Sequence, residues 1–262
     1  MTDAADQKMS FLEHLGELRK RILWSSVAIL VGLLISLSFA ERLMKFVRRP
    51  FEAAIPGAKL VFLTPTEAFW VYMKVALIAG VVLALPVVLY QVWAFVAPGL
   101  HTHERRFAAP FVIVGSLFFL MGAAFAQLVV IPFAMRYLVA TFPGPDLTPM
   151  ISVGSYVDFV LKFTLAFGAI FELPVGITLA SRMGIVTPQF LAKNRKYAIL
   201  INFILAAILT PTPDIFNQSL MAGPMILLYE LGIISARIFG RRPKPVPAPV
   251  PETAQQTEAT ES

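Results

Sequence analysis

Four stretches of this chain, at positions 23–40, 75–100, 107–135 and 163–181, contain no charged residue except Glu172 inside the last. A run of about 18 or more apolar residues is long enough to cross a bilayer core of roughly 30 Å. Two shorter runs, 197–209 and 215–229, flank the sequence Thr-Pro-Thr-Pro-Asp at 210–214, which reads as a tight reversal between two further spans. Lipid offers the backbone no hydrogen-bond partner, so each run must satisfy its own peptide groups as a helix. The expected fold is therefore all-α, a polytopic membrane protein with six transmembrane helices. The last two should be short, since 197–209 reaches only about 20 Å at ~1.5 Å per residue. Pro86, Pro132, Pro174 and Pro224 lie within or near spans, where proline kinks helices, and they predict a concave, cupped wall in place of a tight bundle.

Composition agrees, because 57% hydrophobic and 15% charged residues do not describe a soluble domain of 262 residues. The net charge of +6 does not imply nucleic acid, since the basic residues flank the spans and form no single stripe. Lys8, Arg19, Lys20 and Arg21, then Arg105 and Arg106, then Arg182, Lys193, Arg195 and Lys196, and finally Arg237, Arg241, Arg242 and Lys244 fall at the amino end, in the second and fourth loops and in the tail, all on one side of the six spans. This places both termini in the cytoplasm. Arg42, Lys45, Arg48, Arg49 and Lys59 run against that rule, because they fall in the first loop, on the opposite side. The chain divides into a cytoplasmic amphipathic segment, 1–22, a six-helix domain, 23–236, and a basic then Pro-rich tail, 237–262, whose composition predicts a disordered cytoplasmic end. The first span follows residues of both charge signs and reads as a retained anchor, not a cleaved signal. With no cysteine, thiolate metal sites and cysteine nucleophiles are excluded, and no metal site or cofactor is expected.

The acids left at the span ends carry most information about function. In the amphipathic segment, Glu17 stands one turn before Arg21. It either pairs with that arginine, for a few tenths of a kcal/mol, or faces outward as an acceptor for a cationic partner. In the second cytoplasmic turn Pro98 and Gly99 stop one helix, Thr102 is placed to cap the next, and Glu104 falls in its first turn. There an acid either complements the helix dipole or binds something. Glu172 lies deep in the fourth span, where a carboxylate costs roughly 2.5–3.5 kcal/mol and should face a partner group or a water-filled groove. His14, His101 and His103 all lie outside the spans, which leaves an intramembrane hydrolase without a base, and catalysis is not expected.

Five motifs in order, HLGELRKR at 14–21, LTPTEAF at 63–69, YQVWAF at 90–95, HERR at 103–106 and FELPV at 171–175, together resemble the TatC subunit of the twin-arginine protein translocase. The likeness runs from about Ser10 to Arg237. It implies a receptor and core subunit, in the bacterial cytoplasmic (inner) membrane, of a machine that exports folded proteins. In that family paired acids receive two consecutive arginines of a signal peptide, a role the resemblance carries to Glu17 and Glu104. Arg19 and Phe95 would share the site, Arg19 by positioning Glu17, and Leu18, Trp93, Pro98 and Arg105 would border a groove for the apolar part of the peptide. Trp93 is equally readable as an interfacial aromatic. Glu172 would face a polar residue in the single span of a small TatA- or TatB-type partner, several copies would assemble, and the proton gradient would drive transport. A proton-coupled solute transporter centred on Glu172 is the alternative, and it leaves the surface acids without a task.

Overall fold

The computed structural model describes residues 11–97, 108–141, 150–210 and 214–240. It is all-helical, with α1 at Phe11–Leu37, α2 at Ala40–Ala54, α3 at Glu67–Val96 and α4 at Ala108–Phe125. A π-helical turn at Ala126–Val130 joins α4 to α5 at Ile131–Thr141. Then come α6 at Val153–Phe171, α7 at Leu173–Arg182, α8 at Pro188–Lys193, α9 at Arg195–Leu209 and α10 at Ile215–Phe239. Among the described residues, five helical stretches are long and apolar enough to cross a membrane: Leu12–Leu37, Glu67–Val96, Ala108–Leu138, Val153–Arg182 and Gln218–Phe239. The 15-residue α9, about 22 Å long, is the short sixth. The expected shortness holds for α9 and is corrected for α10, which runs to 25 residues. Glu230, which ends the apolar run in sequence, pairs with Arg195 of α9 at 2.8 Å, so the helix continues through it.

α1 lies on α3, α3 on α4 and α6, α7 on α10, and α10 on α9. A main core gathers Val71, Val75, Val130, Tyr156, Val160, Phe167 and Met225 from α3, the π turn, α6 and α10. The first loop contains α2, an amphipathic helix that buries Met44, Val47, Pro50 and Phe51 and exposes Arg42, Lys45, Arg48 and Arg49. Its place is fixed by the buried Tyr156 hydroxyl, which donates to Val47 O at 2.7 Å.

Pro174 accounts for a break in the fourth span. A proline disfavours helix in the residue before it and supplies no N–H, so α6 ends at Phe171 and α7 restarts at Leu173, with Glu172 between them. Elsewhere small residues allow backbones to touch. A side chain at Gly32 of α1 would strike Gly80 of α3, and one at Gly122 of α4 would strike Phe167 of α6.

On the side of α2, the Glu67 carboxylate clamps two loops. Its Oε2 accepts from Leu63 N at 2.6 Å and Thr64 N at 3.4 Å, while Oε1 accepts from Gly154 N at 2.6 Å. Val61 also bridges the 151–153 backbone, accepting from Val153 N at 2.9 Å and donating to Ile151 O at 3.1 Å. Glu67→Ala is expected to speed amide exchange at Leu63, Thr64 and Gly154 while leaving exchange in α1 unchanged. Unaltered protection at those three amides would show that the clamp contributes nothing.

Candidate functional site

Helical spacing puts Glu17 and Arg21 on one face of α1, and that face lies against α3. Arg21 Nη2 donates to Glu17 Oε1 at 2.9 Å, with side-chain exposures of 18% for the acid and 25% for the arginine. The other Arg21 nitrogen, Nη1, donates to Gln91 Oε1 of α3 at 3.1 Å. The intrahelical pairing offered by the spacing is thus present, but it is tied into an inter-helix seam and is no free surface pair. Arg21 Nε is buried without a partner, so this arginine is held by two of its three nitrogens. One turn toward the N-terminus, His14 stacks on Phe95, with ring centroids 4.4 Å apart and planes 19° from parallel.

The structure therefore brings Glu17 and Phe95 together at one end of the α1–α3 seam, through Arg21, Gln91 and His14. Leu18 is half-buried beside them and Arg19 is exposed. Trp93 departs from that group. It is only 7% exposed, packs with Ala94, Ala97, Ala108 and Phe111, and lines a separate apolar groove of about 570 Å³. That groove runs between α3, α4, α7 and α10, past Pro174, Thr178, Arg182 and Ser235. Pro98, Glu104 and Arg105 lie outside the described residues, as does the tail from residue 241. Gln91 was missed in sequence. A glutamine in an apolar run was the available signal, but nothing in the chain pointed from it to a residue 70 positions away.

Glu172 occupies the break between α6 and α7. Its amide donates to Ala169 O at 3.1 Å and its carbonyl accepts from Gly176 N at 2.8 Å, so the backbone is satisfied on both sides of the break. Its side chain is less well served. Oε1 is buried and has no hydrogen-bond partner among the described residues. The carboxylate rests against α4 at Gly115. A Cβ there would stand 3.1 Å from Oε2, 3.4 Å from Oε1 and 2.9 Å from Leu89 Cδ1, so the glycine makes the room that the acid occupies. Among the described residues no group of three His, Asp or Glu side chains could hold a metal ion.

Comparison with known proteins gives one consistent result. The family model described as Sec-independent protein translocase protein (TatC) matches residues 13–224. A relative of that name from Desulforapulum autotrophicum is 45% identical over 238 residues, which cover 90% of this chain and 87% of the relative. Another, from Aquifex aeolicus, is 38% identical across 91% of this chain and 99% of its own length. A crystal structure titled as the twin arginine translocase receptor TatC superimposes with a TM-score of 0.76 at 39% identity, covering 87% of this chain and all of that one.

Proposed function

Because this chain belongs to the TatC family and is a subunit of the Sec-independent protein translocase, we propose that it is the receptor that reads two consecutive arginines of a signal peptide. The observation that carries this reading is the half-buried Glu17 at the α1–α3 seam, of which only Oε1 is engaged by Arg21. An incoming guanidinium meets the remaining oxygen and competes with Arg21 for the first. Its planar fork forms two parallel hydrogen bonds to a carboxylate, a geometry that lysine cannot reproduce. Glu104 supplies the second carboxylate from the segment between α3 and α4, and Arg19, exposed on α1, positions Glu17. Phe95, Leu18, Pro98 and Arg105 border the path of the peptide's apolar segment, whereas Trp93, which lines the separate groove, is not part of it.

In the same reading both termini and the Pro-rich tail are cytoplasmic, the membrane is the bacterial inner membrane, and several copies work together. Small single-span partners of the TatA and TatB type dock beside Glu172, and the proton gradient drives export of folded cargo. Family membership decides against a solute transporter built on Glu172.

The test is the affinity of the full chain in nanodiscs for a twin-arginine signal peptide and for its twin-lysine copy. With charge-assisted bonds worth about 1.5–3 kcal/mol, the preference should be tens-fold or more. Glu17→Ala and Glu104→Ala should each remove most of it. Equal, salt-sensitive binding of both peptides, unchanged by either substitution, would reduce the attraction to nonspecific charge and end the receptor assignment.

A further inference from the structure

The basic residues of α2 and the cavity beneath them have no part in the signal-peptide site. Arg42, Lys45 and Arg49 are exposed and have no carboxylate partner among the described residues, whereas Arg48 is paired with Glu52 at 3.1 Å. Arg42 and Arg49 lie two turns apart along α2, with Lys45 between them, so the three line one long side of the helix. Beside that side opens a groove of about 590 Å³, within the range of about 300–1,000 Å³ typical of small-ligand sites. Leu43, Phe46 and Val47 of α2 form its upper wall, and it descends between α1, α3 and α4 past Ile78, Leu83 and Leu120.

Several wall residues, Ile35, Phe39, Phe46, Leu83 and Leu120, are half or more exposed, or nearly so, and the groove is open to the bilayer. Phe39 carries the Arg42 guanidinium 5.8 Å from its ring centre, which holds that charge at the mouth. Ser36, which also lines the groove, is 2% exposed and its hydroxyl has no hydrogen-bond partner among the described residues, so a buried donor stands at the end of α1, just before the turn into α2.

We propose that this groove holds one acyl chain of an anionic glycerophospholipid from the leaflet on the side of α2. The phosphate lies among Arg42, Lys45 and Arg49, and the Ser36 hydroxyl donates to the glycerol ester carbonyl. The vertical order of groups is what assigns the ligand. Cations stand at the membrane surface, one hydroxyl lies just beneath them, and an apolar slot lies deeper, which is the order of phosphate, ester and chain in a phospholipid. A free phosphate would use only the cations, and a partner helix would have no use for three of them over an apolar slot. The site also gives the positive charges a function on the side of the membrane where the orientation signal does not want them.

The experiment is native mass spectrometry of the full chain in detergent, titrated with phosphatidylglycerol or with phosphatidylcholine of the same chains. One phosphatidylglycerol should be retained per chain in preference to phosphatidylcholine. In the variant combining Arg42→Gln, Lys45→Gln and Arg49→Gln, retention should fall at least about tenfold, given the usual attraction per basic residue. Lys193→Gln with Lys196→Gln, on the far side of the chain, should change nothing. Ala79→Phe, which fills the slot and keeps every charge, should release the lipid too, with the melting temperature of each variant checking that it remains folded. Equal retention of the two lipids, or undiminished phosphatidylglycerol on the triple variant, overturns the proposal. Displacement by millimolar inorganic phosphate would make this a plain anion site. Loss of a single-span partner from Ala79→Phe with lipid retention unchanged would give the groove to a helix instead.

Discussion

Gly80→Val is expected to pull α1 away from α3 and to lower twin-arginine peptide affinity at least tenfold, without altering any acid. A Cβ at Gly80 would stand 2.5 Å from Leu33 N and 2.8 Å from both Gly32 C and Leu33 Cα, so it meets backbone and not a side chain that can rotate aside. One helix must move. Overpacking of this kind costs about 1–3 kcal/mol where side chains can yield, and backbone yields less. α1 is the helix that will give way, because its other faces, with Leu23, Trp24, Val27, Leu30 and Leu34, are exposed and its packing is on α3. Moving it breaks the Arg21–Gln91 hydrogen bond and the His14–Phe95 stack that hold Glu17 in place. The chain has no cysteine, so spin labels at Trp24→Cys and Val87→Cys report the separation directly. Gly16→Ala, on the same helix but with nothing within 4 Å of the added carbon, is the control and should bind as the parent does. An unchanged label distance with full affinity in Gly80→Val would show that the seam does not support the site.

How much of this was readable in advance depends on the range of the interaction. The Glu17–Arg21 pair is a matter of i, i+4 spacing, and the break at Glu172 is announced by a proline two residues later; both are local and both were legible. The helix α2 is legible in principle, since Met44, Val47 and Phe51 recur at helical intervals among the charges, but in sequence its basic residues stand out as an exception to the orientation rule, which masks that periodicity. α10 was cut short at Glu230 because hydropathy counts a carboxylate without its partner, and Arg195 lies 35 positions away. The π turn at Ala126–Val130 left no mark beyond the nearby Pro132. Its extra residue turns Gln127 inward, where Nε2 donates to Thr164 Oγ1 at 3.2 Å, a contact that depends on how α4 lies on α6. Contacts between spans, Gln91 with Arg21 foremost, needed the fold.

Glu172→Ala should leave signal-peptide affinity within twofold of the parent and reduce export of folded cargo at least tenfold. No hydrogen bond among the described residues joins the acid to Glu17, Arg21 or Gln91, and it stands at a helix break whose backbone bonds do not need the side chain, so its removal disturbs neither the receptor end nor the α6–α7 turn. What is lost is an acceptor. A buried carboxylate oxygen without a partner is worth keeping only if a donor arrives from outside the chain, and the donor proposed above is a polar side chain in a single-span subunit. Glu172→Gln keeps an acceptor oxygen at the same place and should retain intermediate export, which separates hydrogen bonding from charge. Gly115→Leu tests the space itself, since its side chain would push into the carboxylate and Leu89, and it should reproduce the export defect with Glu172 still present. The readouts are peptide affinity in nanodiscs, export in cells, and photo-crosslinking of single-span subunits from a probe at Val175. Equal loss of peptide binding and export in Glu172→Ala would make the residue structural, and full export with undiminished crosslinking would remove it from the partner site.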